Sequence, residues 1–285
     1  VTELVTTQAM LRREATAILD AAGIAEPRRE ALRLARDLEH RDATRLVLDA
    51  DQLASPAEAE RYLAAVHRRA AGEPLAYVTG WSGFRRLDLL IDRRVLIPRP
   101  ETEELVGAAL DRVRGGVAAD IGTGSGAIAI ALASEGRFAE VIGTDNSADA
   151  LAVARENSAR NEVAVTWLEG DLLRPIRGRR LDLLVSNPPY LTDAEYDTLD
   201  PSVRAWEPRQ ALVGGEDGMS AYQVILAGGR SLLQPTGWLA LEIDARRAVQ
   251  TQTLAEGFGW REVTILDDLF GRARILLAQR GADND

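Results

Sequence analysis

Asp120-Ile121-Gly122-Thr123-Gly124-Ser125-Gly126 follows a short apolar run over 117–121 and opens a helical pattern over 127–134. A glycine-rich turn between a strand and a helix lets the backbone pass close to a ligand at the helix N-terminus. The spacing discriminates between ligands. A dinucleotide fingerprint runs G-x-G-x-x-G, whereas these glycines alternate as G-x-G-x-G, with Asp120 at the strand end. A pyrophosphate would meet that carboxylate unfavourably, while the amino group of a methionine-like moiety would be held by it, directly or through water. The loop therefore reads as an S-adenosylmethionine site contacted by Asp120, Gly122, Thr123, Gly124, Ser125 and Gly126, and an NAD-dependent oxidoreductase is disfavoured.

From residue 117 onward, short apolar runs alternate with helical patterns, the signature of a parallel sheet covered on both faces. Strands are expected at 117–121, 140–145, 165–169, 181–186, 238–243, 262–266 and 273–278, and helices at 127–134, 148–160 with Ser147 as cap, 220–233 and 245–256. Only six residues, 267–272, separate the last two strands, too few for a helical crossover, so these should pair antiparallel. The fold class is α/β: a Rossmann-like, seven-stranded domain with its last strand antiparallel.

Two more strand ends carry acids. Asp145 can accept hydrogen bonds from a ribose diol, although capping the next helix is an alternative role. Asp171 can accept from an adenine amino group while Leu172 packs on the ring; a plain turn is the alternative there.

Asn187-Pro188-Pro189-Tyr190 comes straight after the strand at 181–186. Two consecutive prolines are awkward within a strand, so the motif belongs at its carboxyl end, beside the cofactor crevice. A planar amide or amino nitrogen is a weak nucleophile and must be held with its lone pair towards the methyl group it takes. The Asn187 side-chain carbonyl and the Pro188 main-chain carbonyl can accept its two N–H bonds, with rigid prolines fixing both acceptors. Tyr190 offers an aromatic face to the flat substrate group or to a sulfonium. Asn187, Pro188 and Tyr190 are thus the catalytic candidates, Asn187 to Tyr190 with Pro189 the substrate contacts, and Asn187 also borders the cofactor.

Upstream, Leu11, Ala15, Ile18, Leu19 and Ala22 recur at helical spacing before Gly23, and Ala31, Leu34, Ala35 and Leu38 repeat the pattern. Ser55-Pro56-Ala57-Glu58 is a capping box with proline at the first helical position, and Gly72 closes that helix. The expected organisation is a small helical bundle over 1–75, a β-hairpin linker over 76–100 and the catalytic domain over 101–281. Within the linker, 81–84 and 87–92 look extended, with Arg93-Arg94 as a turn before Val95-Leu96-Ile97. Pro98 and Pro100 lead into a helix from Glu101 or Thr102. Residues 281–285 are expected to fray.

Zero Cys removes thiolate metal sites, disulfides and cysteine nucleophiles, and two histidines, His40 and His67, are too few for a metal centre. No metal is expected, and both histidines read as structural or solvated. The first 100 residues carry 16 Arg against 15 acids, the remainder 18 against 29, so nonspecific nucleic-acid binding by the C-terminal part is not expected. No apolar run reaches the roughly 18 residues of a membrane span, and Val1-Thr2-Glu3-Leu4 lacks the blocks of a secretory signal. A cytoplasmic location without membrane contact is expected, with the chain acting as a monomer.

Taken together, these residues resemble the Asn-Pro-Pro-Tyr subset of class I S-adenosylmethionine-dependent methyltransferases, and within it the bacterial peptide chain release factor N5-glutamine methyltransferases. The likeness includes Glu73-Pro74-Leu75-Ala76-Tyr77 with Gly80 and Phe84, Leu96-Ile97-Pro98-Arg99-Pro100-Glu101-Thr102-Glu103, Glu207-Pro208 with Ala211-Leu212, and Asp268-Leu269 with Gly271 and Arg274. The glycine loop and Asn-Pro-Pro-Tyr are shared more widely; segments 73–103 and 204–218 narrow the family. Asp244, where many relatives have Gly, and Phe270, where a small residue is common, depart from its pattern. The resemblance implies methylation of the glutamine amide in the Gly-Gly-Gln loop of class I release factors. It puts the cofactor's methionine part at Gly122 to Gly126, its ribose at Asp145, its adenine at Leu172 and the target glutamine at Asn187 to Tyr190. The helical domain would help dock the release factor, with its Arg pairs as candidate contacts; solvated helix faces are the other reading for most of those pairs. A DNA or RNA adenine-N6 methyltransferase is the alternative, since an adenine amino group suits the same acceptors; a non-catalytic binding module is the alternative of another class.

Overall fold

Apolar positions three and four residues apart build the first helices: α1 (Gln8–Ala21), α2 (Pro27–Glu39), α3 (Ala43–Leu48), α4 (Pro56–Ala70) and α5 (Leu75–Thr79). The computed structural model describes residues 6–39 and 43–281. Leu11, Ala15 and Leu19 from α1 meet Leu34 and Ala35 from α2 and Tyr62 and Val66 from α4 in one apolar cluster. The Tyr62 hydroxyl donates to the Ala31 carbonyl at 2.8 Å, so its polar tip is satisfied inside that cluster. The capping box at Ser55 forms as expected, with Ser55 accepting from Glu58 N and Glu58 accepting from Ser55 N. His67 on α4 is exposed, while His40 lies outside the described residues, as do 282–285 of the expected frayed tail. These helices, with Asp200–Trp206, form one compact unit; Ser82–Leu199 with Glu207–Asp285 form the other.

β1 (Trp81–Phe84) and β2 (Leu87–Leu90) pair with each other across Arg85-Arg86, where Arg85 takes φ 53°. Arg93-Arg94 does turn, but Val95-Leu96-Ile97 forms no strand after it. Pro98 and Pro100 lack the N–H a ladder needs, and Val95 is buried in its own right. Helix α6 (Pro100–Arg112) starts on Pro100 itself, which has no N–H to leave orphaned at the first helical position.

The remaining elements are β3 (Gly115–Ile121), α7 (Ala127–Glu135), β4 (Arg137–Asp145), α8 (Ala148–Arg160), β5 (Thr166–Glu169), β6 (Leu181–Ser186), α9 (Asp193–Asp197), α10 (Pro201–Arg204), α11 (Ser220–Leu232), β7 (Leu233–Glu242), α12 (Ala248–Gly257), β8 (Arg261–Asp267) and β9 (Ala273–Gln279). Seven of the strands form one sheet in the order β5-β4-β3-β6-β7-β9-β8, parallel except for β9, which runs antiparallel to both its neighbours. The central strands are buried on both faces; Ala119, Leu184, Leu239 and Leu276 are fully inaccessible. The order reverses between β3 and β6, whose last residues pair as Ile121 with Ser186. At such a switch point the connections leave in opposite directions and open a crevice beyond the strand ends.

Candidate active site

The glycine loop leaves β3 into that crevice and Asn187 leaves β6 beside it. Gly122 and Thr123 donate their N–H groups to the Thr144 carbonyl, and Gly124 donates to the Asp145 carboxylate at 2.9 Å, so the loop is pinned to the end of β4. Gly122 and Gly124 take φ +72° and +55°, and a Cβ at either would project into open space. Glycine is needed at these two positions for the left-handed backbone, and the same absence of side chains leaves their faces bare. Asp145 bonds Ser147 N with its other oxygen, while Ser147 is the residue that caps α8. Burial holds the Asp145 carboxyl above the ordinary range, against the bonds from Ser147 and Gly124.

Asp120 is completely buried; one carboxylate oxygen accepts from Thr123 Oγ1 at 2.5 Å and from Ala129 N at 3.2 Å. Its Oδ1 has no hydrogen-bond partner. Burial pushes this carboxyl up to about 7, the Thr123 and Ala129 bonds opposing. A buried carboxylate oxygen without a donor is costly, and a ligand ammonium would supply the donor, directly or through water.

A cavity of about 570 Å³ opens over these strand ends, a size suited to a nucleoside-containing ligand. Gly122, Gly124, Asp145, Asp171, Leu172, Asn187 and Pro189 line it, joined by Leu96, Pro208 and Ala211 from the two segments that narrowed the resemblance. Asp120, Thr123, Ser125, Gly126, Pro188 and Tyr190 do not form its wall. Thr123 and Asp120 brace the loop from beneath, and the Ser125 carbonyl accepts from Asn157, which also bonds both main-chain groups of Leu90. Gly126 caps α7 at φ +84°, where a Cβ would touch Ile130, Trp167 and Ala154. Leu172 holds φ +44°, an uncommon conformation for a leucine, and puts its side chain at the cavity.

Tyr190 departs from its expected role. Rather than presenting its face to the cavity, the ring packs against the core cluster of the sheet, and burial pushes its hydroxyl up to about 12. Its apolar area stabilises the turn that follows Pro189. That turn is tied again through Leu191, which exchanges backbone bonds with Leu212 and Gly214, while Glu207 accepts from Ile97 N and pairs with Arg99 at 2.5 Å. Asp244 caps the turn after β7 by accepting from Arg246 N and pairing with Arg246 and Arg247. The Phe270 side chain lies exposed beneath the Arg272 guanidinium, 5.2 Å from the ring centroid.

Two residues of the site escaped the sequence reading. The Asn187 Nδ2 donates to Thr102 Oγ1 at 3.1 Å, and Thr102 Oγ1 donates to Glu242 Oε2 at 2.6 Å. Thr102 hides inside the Pro-Glu-Thr-Glu run as an ordinary first-turn residue. Glu242 ends the apolar run Trp238-Leu239-Ala240-Leu241; a carboxylate closing a central strand was the available signal.

Residues 102–201 match the methyltransferase small domain and residues 10–80 match the PrmC N-terminal domain. A release factor glutamine methyltransferase from Moorella thermoacetica is 44% identical over 273 residues, which cover 94% of this chain and 96% of the relative. The chain belongs to the release factor glutamine methyltransferase family. As a member it is an enzyme, a methyltransferase that uses S-adenosylmethionine. A second member, from Deinococcus radiodurans, is 39% identical over 273 residues, again 94% of this chain and 96% of the relative. Among solved structures, a methyltransferase from Pyrococcus furiosus superposes with a TM-score of 0.54 at 20% identity, covering 77% of this chain and 98% of that one. A 16S rRNA methyltransferase from T. thermophilus, solved with AdoMet and guanosine, gives 0.51 at 18% identity, covering 70% of this chain and 49% of its own. These two share the fold. The residues present fit the family's cofactor: bare glycines for the methionine part, an orphaned oxygen on Asp120 for its ammonium, Asp145 for the diol and Leu172 for the ring.

Proposed function

We propose that this chain methylates the side-chain amide nitrogen of the glutamine in the Gly-Gly-Gln motif of class I peptide chain release factors. The observation that carries this reading is the polarity of Asn187. Its NH2 is taken by Thr102, so its carbonyl oxygen, to which no described residue donates, remains as an acceptor at the cavity. A carboxamide substrate has two N–H groups to place, and Asn187 Oδ1 with the Pro188 carbonyl would receive them. Held so, the nitrogen turns its lone pair along the line of transfer and its developing positive charge meets two oxygen dipoles.

When bound, the cofactor supplies an electrophilic methyl group on a sulfonium. Gly122, Gly124, Asp145, Asp171 and Leu172 would hold and orient it at the cavity, with Asp120 reached through water and Thr123 bracing the loop beneath, and the Pro188-Pro189 turn, stiffened by Tyr190, keeps the acceptors from drifting. Once its bond to carbon has formed, the substrate nitrogen is acidic and gives its extra proton to water, so no side-chain base is required.

The helical residues 1–75 would dock the release factor, with 76–100 as linker and 101–281 as the catalytic part. The release factor would be met in the cytoplasm by a single copy of the chain. No described helix is long and apolar enough to cross a membrane, and the formal net charge of −10 favours a protein substrate over a polyanion.

The test is methyl transfer from labelled cofactor to purified release factor, followed by peptide mapping, which should place the label on the Gly-Gly-Gln glutamine. Asn187→Ala should keep cofactor affinity and lose most turnover, on the order of 100-fold. Label on oligonucleotides and not on release factor would overturn the proposal.

A further inference from the structure

An Asn side chain is nearly symmetric in shape, so shape does not decide which end of the amide faces a ligand; its hydrogen-bond partners do. Neither Thr102 nor Glu242 reaches the cavity, and both are buried, at 5% and 2% exposure. A threonine hydroxyl has one proton. Given to the Glu242 carboxylate, it leaves Thr102 only lone pairs towards Asn187, and only the NH2 end of the amide can meet them. We propose that Thr102 and Glu242 are positioning residues that set the polarity of the Asn187 amide and thereby present its oxygen to the substrate nitrogen. This rests on the reading of Asn187 as the acceptor.

The arrangement follows from the fold. Glu242 is the last residue of β7, Asn187 follows the last residue of the adjacent β6, and Thr102 lies in the first turn of α6. Around Glu242 stand Arg274 on β9 and Arg99 before α6, which favour its ionised form, and Glu101 on α6, which opposes it. Tyr190 after β6 and Asp244 after β7 share this neighbourhood, and the Tyr222 hydroxyl on α11 donates to the Glu242 main-chain carbonyl.

The polarity is reversible in principle. A protonated Glu242 can donate to Thr102 Oγ1, the threonine proton then turns to Asn187 Oδ1, and the amide rotates to present NH2. Donor would face donor, and the substrate nitrogen would lose an acceptor. Burial pushes the Glu242 carboxyl up to about 7, so turnover should fall as pH drops through that value.

The experiment uses the full chain with release factor, measuring kcat, both KM values, melting temperature and the pH profile. Thr102→Val and Glu242→Leu should lower kcat by about 10- to 100-fold, the scale of a misplaced positioning group, with the KM for cofactor and the melting temperature little changed, whereas Glu242→Gln, whose amide oxygen still accepts from Thr102, should keep most of the turnover. Thr102→Ser should recover most of the turnover, and Thr102→Val should lose the fall in kcat below about pH 7. Natural turnover in Thr102→Val and Glu242→Leu, with Asn187→Ala inactive, would overturn the relay and leave the function standing. Natural turnover in Asn187→Ala would overturn the acceptor role on which both rest. A loss in Thr102→Val that tracks a lowered melting temperature and is not recovered by Thr102→Ser would assign Thr102 to stability alone.

Discussion

Asp120 and Glu242 are the two carboxyl groups whose environment most changes their chemistry. Both lie where desolvation opposes charge, and each is pushed from an ordinary value of 3.8 or 4.5 to about 7. The folded chain therefore holds protons that the unfolded chain releases. Their contribution to stability is complete below the unfolded values and is lost as pH rises through about 7. The unliganded enzyme should accordingly melt at progressively lower temperature as pH is raised from about 5 to about 8, and Asp120→Asn should flatten that slope. Calorimetric scans across this range check it; an unchanged slope in the variant would show that Asp120 titrates normally. The sequence pointed to Asp120 by its place at a strand end. Its burial was not legible there, because burial is set by Thr123, by α7 and by the strands on either side.

At the scale of elements, what was legible followed from period and length. The helix over 148–160 and the strand over 181–186 were expected at the bounds they take, because strong apolar patterns and a cap mark both ends. The helices α3, α5, α9 and α10 were missed, being four to six residues long and thus shorter than the window in which a 3.6-residue repeat can show. Val95-Leu96-Ile97 misled in the opposite direction, since a short apolar run reads as strand whether its side chains fill a sheet face or the wall of a pocket. Of the Arg pairs on the helices, Arg68 and Arg69 are already committed: Arg68 to Glu73 at 2.6 Å, Arg69 to Glu30 at 2.8 Å. Packing between elements also yields a sharp prediction at Gly143 in β4. A Cβ there would come within 2.2 Å of the Trp167 ring and 3.2 Å of Thr123 Oγ1. Gly143→Ala should destabilise the enzyme by about 1–3 kcal/mol, as overpacking does, and should weaken cofactor binding because Thr123 braces the loop. Equilibrium unfolding and titration with demethylated cofactor measure the two effects.

For the whole molecule, the sheet order explains why a site forms where it does. Reversal between β3 and β6 brings together the glycine loop and the Asn-Pro-Pro-Tyr turn, although 60 residues separate Gly126 from Asn187 in the chain. The alternation of strand and helix announced the class of fold, and the two motifs announced that their strands end at one crevice. The walls contributed by Leu96 and Pro208 entered only through resemblance, since nothing in their local pattern states which strand they will cover. The division into units is likewise invisible in local pattern, because Asp200–Trp206 clusters with the helices of the first unit while the residues on either side of it belong to the second. Hydrolysis of one peptide bond between 81 and 82 would leave the helical unit with seven of its residues still covalently part of the other fragment. The two pieces of a chain nicked there should accordingly co-elute under native conditions and separate only in denaturant, a behaviour that size-exclusion chromatography before and after cleavage would reveal. Evolutionary exchange of the helical part for another would face the same obstacle: a clean splice at the obvious junction leaves behind a short splinter whose packing partners have gone.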